Sequence, residues 1–396
     1  MGGLKVLHSI YFPIFPSFSL TQTPTHTMPR VALIVGVTGM VGVTMTEVLK
    51  KPTTLGAPWT VYGVSRRPLP TWFPSSFLDK HIILDTLNQE NTHKILSPLS
   101  TQITHLFWLA IYANESEDLS ISMNSTMLCN VLRALTSSPK SSLSHVALQT
   151  GTKQYLGPIY DPILSSQIHP HEPPFKEDYP RLQFPNFYYA LEDIIFSYSK
   201  SLTYSIHRSS IIIGASSRSF YNALLTLSVY ALVCKHENYP FRYLGNEFTW
   251  GHFCDASDAR VLAEQQIWAS VTNSAKNQAF NCTNGDVFTW KMLWKVLCDE
   301  FGVEFVALDE KDKLTYVDFM KDKGEVWERI VEENGLYKTK MEEITCFGAT
   351  DAVLNFQIQH VCCMNKSREF GFLGHANTLA SIKMWIEKLR QMKILP

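Results

Sequence analysis

Two tyrosines and one lysine are the side chains best suited to proton chemistry in this chain. The segment Asn186-Phe187-Tyr188-Tyr189-Ala190-Leu191-Glu192-Asp193 has helical spacing and sets two phenols side by side. A phenol beside an ammonium can donate or hold a proton at a reacting oxygen, and a helix brings such a pair onto one face at i and i+4. Here the fourth residue after Tyr188 is Glu192 and the fourth after Tyr189 is Asp193, and a carboxylate cannot supply the cation. The substitute lysine is Lys153, in Gln149-Thr150-Gly151-Thr152-Lys153-Gln154-Tyr155-Leu156-Gly157-Pro158, directly after the apolar segment His145 to Gln149. Sites of open α/β sheets form at that place, the carboxyl end of a strand. Spacing alone leaves Tyr188 and Tyr189 equivalent.

A glycine triplet supplies the partner for this chemistry. Val31-Ala32-Leu33-Ile34-Val35 reads as a strand buried on both faces, Gly36, Gly39 and Gly42 follow it directly, and Val41 to Lys50 has helical apolar spacing. At such a strand-to-helix turn a pyrophosphate can reach bare backbone and face the helix N-terminus, so Gly36, Thr38, Gly39, Met40, Val41 and Gly42 are the expected dinucleotide contacts. An acid at the end of the second strand would select the free ribose of NAD. This chain has Ser65-Arg66-Arg67 there, two guanidiniums and a hydroxyl suited to a 2′-phosphate, and NADPH is the expected cofactor. Asp85 closes the third strand, where it meets the adenine edge or makes an Asx turn.

Positioning these residues takes a parallel sheet. Strand candidates at Val31–Val35, Trp59–Val64, His81–Leu84, His105–Leu109, His145–Gln149 and Tyr204–Arg208 alternate with helices, clearest at Leu119–Leu135 and Tyr188–Lys200. The expected fold is α/β, a doubly wound Rossmann sheet over residues 28–214. Residues 215–396 are expected to form mainly a smaller substrate-binding lobe interleaved with that core, with helices at Trp290–Phe301, Gly324–Asn334 and Leu379–Met392. The proline-dense loop Gly157 to Pro185 is long enough to cover a site and is a candidate lid. Residues 1–27 read as a disordered extension with Met28 the effective start, the competing reading being a plastid-type leader.

Composition narrows the function. With 396 residues, 45% hydrophobic and 18% charged, the chain can bury a large core. A formal net charge of −1 and the lack of a Lys/Arg run give no phosphate track, so nucleic acid is not an expected partner. No apolar stretch reaches the roughly 18 residues of a membrane span, so no membrane is expected either. Eight scattered cysteines with no zinc spacing fit reduced thiols in a cytoplasmic protein. His169-Pro170-His171-Glu172 lacks a matching third ligand and reads as a solvated turn, and no metal is expected.

At this point the chain resembles the plant progesterone 5β-reductase and iridoid synthase family, an atypical branch of the extended short-chain dehydrogenases. The resemblance runs from about Arg30 to Pro396. It is carried by Gly36-Val37-Thr38-Gly39-Met40-Val41-Gly42, Ser65-Arg66-Arg67, Thr150-Gly151-Thr152-Lys153, Pro180-Arg181-Leu182, Asn186-Phe187-Tyr188-Tyr189, Asn284-Gly285-Asp286-Val287-Phe288, Met364-Asn365-Lys366-Ser367 and Gly371-Phe372-Leu373-Gly374. It implies NADPH-dependent 1,4-reduction of an activated C=C beside a carbonyl, in substrates such as progesterone, 8-oxogeranial or small enones. It also implies Lys153 and Tyr188 as the catalytic pair, Thr150 on the cofactor, and Phe347 as a substrate-facing aromatic. The family's usual aromatic after Gly-Pro is here Ile159, and its His-Arg-Pro is His207-Arg208-Ser209. Ala110 and Ile111 make the fourth-strand border apolar, which suits small hydrophobic enones. A small-molecule enone or enal is the expected partner, and a homodimer is compatible with this reading. An epimerase or ketoreductase of the wider superfamily would want Tyr-x-x-x-Lys, and a non-catalytic NADP-binding relative is the third reading.

Overall fold

The computed structural model describes residues 29–112, 114, 116–158, 166–309 and 314–396, so the 1–27 extension and Ile159 lie outside the described residues. Apolar, β-branched segments form the strands β1 (Arg30–Val35), β2 (Trp59–Ser65), β3 (Lys80–Ile83), β4 (His105–Trp108), β5 (His145–Gly151) and β6 (Thr203–Ser209). They pair in parallel in the order β3-β2-β1-β4-β5-β6. The order reverses at β1, which has β2 on one side and β4 on the other, and this is where an open sheet leaves a crevice beyond its strand ends.

Strand alternation then assigns each side chain to a face. Leu33, Val35, Leu106, Trp108, Val146 and Leu148 pack with helix α3 (Glu117–Leu135) and the helix Phe187–Ser197. Ala32, Ile34, Val61, Phe107 and Ala147 pack on the opposite side with α1 (Met40–Leu49) and the helix Ala259–Val271. Each fully buried Leu, Ile or Val contributes about 1.5–3 kcal/mol, so the two cores hold the sheet edge rigid beneath any site built on it.

The C-terminal half is interleaved with the core. Gln278–Cys282 adds a seventh parallel strand outside β6, and Ala259–Val271 is one of the helices on the sheet. The late part of the chain packs on aromatics, with Phe241 stacked on Trp294 at 4.2 Å and Tyr230 against Phe241 at 5.1 Å.

The described part of the proposed lid is fastened, not free. Phe175 N donates to the Val361 carbonyl at 2.8 Å, Cys363 N donates back to Phe175 at 2.8 Å, and Asn281 N donates to Glu177 at 2.8 Å. A long loop needs partners for its backbone groups, and here the 360–363 segment and the seventh strand provide them.

Sequence reading gave no sign of the buried histidines. His145 bonds Thr203 Oγ1 at 2.9 Å and Ser205 Oγ at 3.0 Å, and His207 bonds Ser205 Oγ at 2.9 Å and Gln265 at 2.8 Å. Burial pushes His105, His207 and His360 down to about 4, and His145 well below its ordinary value. An unfolded histidine takes its proton below about pH 6.5, whereas these folded rings refuse it until about pH 4. Their contribution to stability is whole above pH 6.5 and is lost as pH falls through that window, at about 1.4 kcal/mol per pH unit for each group. Asp255, pushed up to about 7 by burial, and Glu177 and Asp351, also raised by burial, have the opposite sign, three groups against five lowered histidines once His81 is included. The urea midpoint is therefore expected to fall steadily from pH 6.5 to 4.5, and a flat midpoint across that interval would contradict neutral burial of these rings.

Candidate active site

The glycine turn has the shape that a dinucleotide requires. Gly36 has φ +95°, and a Cβ there would lie 2.9 Å from the Ala110 amide nitrogen. A Cβ on Gly42 would lie 2.4 Å from the Gly36 carbonyl oxygen and 2.6 Å from that of Val37. These two glycines respectively close the turn and seat α1 against it. Gly39 is different, since its nearest neighbours, the Gly36 oxygen and Ser219 Oγ, are 3.4 Å away. The half-buried middle glycine thus leaves room at the turn for a pyrophosphate, while its own amide donates to the Gly36 carbonyl at 3.1 Å and the Met40 amide to Ser219 Oγ at 2.9 Å. Thr38, Met40 and Val41 belong to the same turn and the first residues of α1. The room at Gly39 fits the phosphates of a nicotinamide dinucleotide.

At the end of β2, Arg66 and Arg67 are exposed, while the Ser65 hydroxyl is buried and donates to the Arg67 carbonyl at 2.7 Å, with His81 Nε2 at 2.8 Å. Ser65 therefore shapes the arginine turn from inside. Asp85 is exposed and accepts from Leu87 N at 3.1 Å, an Asx turn.

Across the crevice stand β5 and the helix Phe187–Ser197. Alternation along β5 turns Thr150 toward the face that carries this helix, and its buried Oγ1 has no partner among the described residues. A polar atom buried without a partner costs about 1–3 kcal/mol, which a bound ligand would recover. Tyr188 is half-buried, and its hydroxyl lies against Gly151, where an added Cβ would sit 3.1 Å from it. That hydroxyl has no hydrogen-bond partner among the described residues. Tyr189 is committed: its hydroxyl donates to the Gln154 carbonyl at 3.0 Å and accepts from Leu182 N at 3.1 Å.

Lys153 opens the short helix Lys153–Leu156, lies over the Phe187 ring at 5.1 Å and pairs with Glu117. The other Glu117 oxygen accepts from Phe187 N at 2.7 Å. Asn186 caps the helix by accepting from Tyr188 N at 3.0 Å, and its amide donates to the Lys153 carbonyl at 3.3 Å. Glu117 and Asn186 thus tie the lysine loop to the tyrosine helix. The sequence held a signal for Asn186, a preferred N-cap residue just before an apolar helix. It held none for Glu117, which stands 36 residues before its lysine.

Burial raises the Tyr188 phenol well above its usual range, and the nearby Tyr221 and Glu117 push in the same direction. Tyr188 is thus a neutral donor at physiological pH, not a tyrosinate. The Glu192 and Asp193 carboxylates that displace the usual lysine point elsewhere. Glu192 is buried between Arg208 at 3.0 Å and Arg181 at 3.2 Å, and Asp193 pairs with Arg181 at 2.8 Å. Phe347 is half-buried at the start of the helix Phe347–Leu354, next to Cys346, which lies within electrostatic reach of Tyr221. Among the described residues, no group of His, Cys, Asp and Glu could hold a metal.

The two tyrosines should separate cleanly in stability. Tyr189→Phe leaves the Gln154 carbonyl and the Leu182 amide unpaired and is expected to cost about 1–3 kcal/mol, whereas Tyr188→Phe should cost under about 0.5 kcal/mol. Urea unfolding of both variants checks this, and equal losses would contradict the free Tyr188 hydroxyl.

Comparison with known proteins shows the family and the fold. The PRISE-like Rossmann-fold domain matches residues 32–396. The chain is 47% identical over 371 residues to the (S)-8-oxocitronellyl enol synthase CYC2 of Camptotheca acuminata, covering 92% of this chain and 93% of that one. It is 46% identical over 376 residues to the 3-oxo-Delta(4,5)-steroid 5-beta-reductase of Arabidopsis thaliana, covering 94% and 95%. Among solved structures, the UDP-glucose 4-epimerase of Thermus thermophilus in complex with NAD superposes with a TM-score of 0.58 at 13% identity, covering 91% of this chain and 99% of that one, a likeness of fold. With the match extending over nearly all of the described chain, this protein belongs to the PRISE-like Rossmann-fold family.

Proposed function

We propose that this protein is an NADPH-dependent reductase of the activated C=C bond in α,β-unsaturated carbonyl compounds. One observation carries the reading: a neutral phenol, Tyr188, has its hydroxyl unengaged at the carboxyl edge of the sheet, beside Gly151. The relatives add support, since one is a 3-oxo-Δ4-steroid 5β-reductase and another an 8-oxocitronellyl enol synthase. NADPH rather than NADH rests on the exposed Arg66 and Arg67 and on the lack of an acid at the end of β2.

A bound reduced nicotinamide supplies the hydride for the β-carbon. The residues of this chain act on the other end of the conjugated system. As hydride arrives, negative charge moves to the carbonyl oxygen of the substrate, and the Tyr188 hydroxyl donates a hydrogen bond to it there. A donor placed where charge develops is commonly worth about 10² to 10³ in rate. Thr150 Oγ1 is available to the cofactor's nicotinamide end. Lys153 serves by position, because Glu117 pins it and Asn186 holds its backbone. The half-buried Phe347 and the apolar Ala110 and Ile111 suit a small hydrophobic enone.

Tyr188→Phe and Lys153→Met are expected to retain NADPH binding, read by nicotinamide fluorescence. Turnover of progesterone, 2-cyclohexen-1-one and 8-oxogeranial should fall by about 10²-fold or more with Tyr188→Phe. Full activity of Tyr188→Phe on every enone tried would overturn the tyrosine assignment. Because the Tyr188 phenol is raised, kcat should show no tyrosine-linked limb below about pH 10. Arg66→Ala should weaken NADPH and leave NADH nearly unchanged, and equal weakening of both would sink the NADPH reading.

A further inference from the structure

The positive corner at the end of β2 has a third member from a distant part of the chain. The segment Ser216-Ser217-Arg218-Ser219 is laid across the glycine turn by two hydrogen bonds, with a third inside the segment and a fourth to Trp72. Ser216 Oγ donates to the Thr38 carbonyl at 2.7 Å and accepts from Arg218 N at 2.8 Å. Met40 N donates to Ser219 Oγ at 2.9 Å, and Trp72 Nε1 donates to Ser217 Oγ at 2.9 Å. The Arg218 guanidinium then donates to the Tyr337 hydroxyl at 3.3 Å, and Tyr337 stands edge-on to Trp72 with ring centroids 6.5 Å apart.

Trp72 follows Arg67 by five residues, so these contacts tie the 216–219 segment to the stretch of chain just after the arginine turn. Among the described residues, none of Arg66, Arg67 and Arg218 forms an ion pair with a carboxylate, whereas Arg181, Arg208, Arg260 and Arg390 do. Partial burial and the charges of Arg218 and Arg66 depress the Arg67 guanidinium, with Glu343 and Tyr337 opposing them in part. With Glu343 the one carboxylate among the described residues that acts on Arg67, and no ion pair formed to it, the three guanidiniums keep an excess of positive charge that a dianion would neutralise, and a guanidinium fork matches phosphate oxygens.

We propose that Arg218 is a third cation of the adenosine 2′-phosphate site, contributed from beyond the first 214 residues, and that it discriminates NADPH from NADH. The proposal rests on the reading of Ser65-Arg66-Arg67 as that site. It also assigns Tyr337 as the residue that positions the Arg218 side chain.

The full-length protein and Arg218→Ala are titrated with NADPH, NADH and 2′,5′-ADP, following nicotinamide fluorescence for the first two and calorimetry for the third. The expected result is a rise of about tenfold or more in Kd for NADPH and 2′,5′-ADP, with NADH within about twofold, and partial recovery in Arg218→Lys. If Arg218→Ala keeps the wild-type preference while Arg66→Ala loses it, the proposal falls and the NADPH reading stands. If the wild type shows no preference, both fall. If Arg218→Ala weakens NADPH and NADH alike, Arg218 only props the glycine turn, and the proposal is overturned.

Discussion

The closeness of α1 to the end of β1 is the constraint from which the rest of the site follows. A Cβ on Gly42 would lie 2.4 Å from the Gly36 carbonyl oxygen, and one on Gly36 would lie 2.9 Å from the Ala110 amide. Interiors packed at crystal density cannot absorb an overlap of that size by small shifts. The helix N-terminus is therefore pressed to the sheet edge at the point where the strand order reverses. Once it is there, the β4 border at Ala110 and the 216–219 segment meet the same turn.

The opposite wall answers a different physical problem, which is how to place a phenol without ionising it. In the usual arrangement an ammonium four residues along the helix favours tyrosinate. Here that position is Glu192, drawn into a buried pair with Arg208 and Arg181, and the lysine comes from the loop after β5 with Glu117 as its counter-ion. Burial then keeps Tyr188 neutral. A neutral phenol is suited to stabilising an enolate oxygen by donation, and much less to abstracting a proton. The buried Arg208–Glu192 pair also explains why a carboxylate is tolerated on this helix: removing one partner of such a pair typically costs about 3–5 kcal/mol, because the other charge is stranded.

The interleaving of the two halves links these walls. The strand Gln278–Cys282 and the helix Ala259–Val271 belong to the late part of the chain but complete the sheet and its cover. The Asn281 amide of that strand also holds the Phe175 carbonyl at 2.9 Å, and Arg208 holds the Glu177 carbonyl at 3.1 Å. The proline-dense loop is thus built into the sheet edge, and the site is bordered by fixed backbone wherever the structure describes it.

Local pattern in the amino-acid chain determined much of this. Strand alternation, the glycine spacing and the motif around Tyr188 were enough to place six parallel strands, the strand-to-helix glycine turn and the two segments that carry Tyr188 and Lys153. These are properties that depend on neighbours within a few residues, where backbone geometry and side-chain size speak directly. Tertiary structure alone decided which of two adjacent phenols is unengaged, because Tyr189 is committed to Leu182 and Gln154 across a turn that no periodicity encodes. It alone supplied Glu117 as the partner of Lys153, Gly151 as the room for the Tyr188 hydroxyl, and the 216–219 segment laid on the glycine turn and tied to Trp72. Such contacts join residues tens to well over a hundred positions apart, and their geometry exists only after the sheet and both of its helical layers have closed.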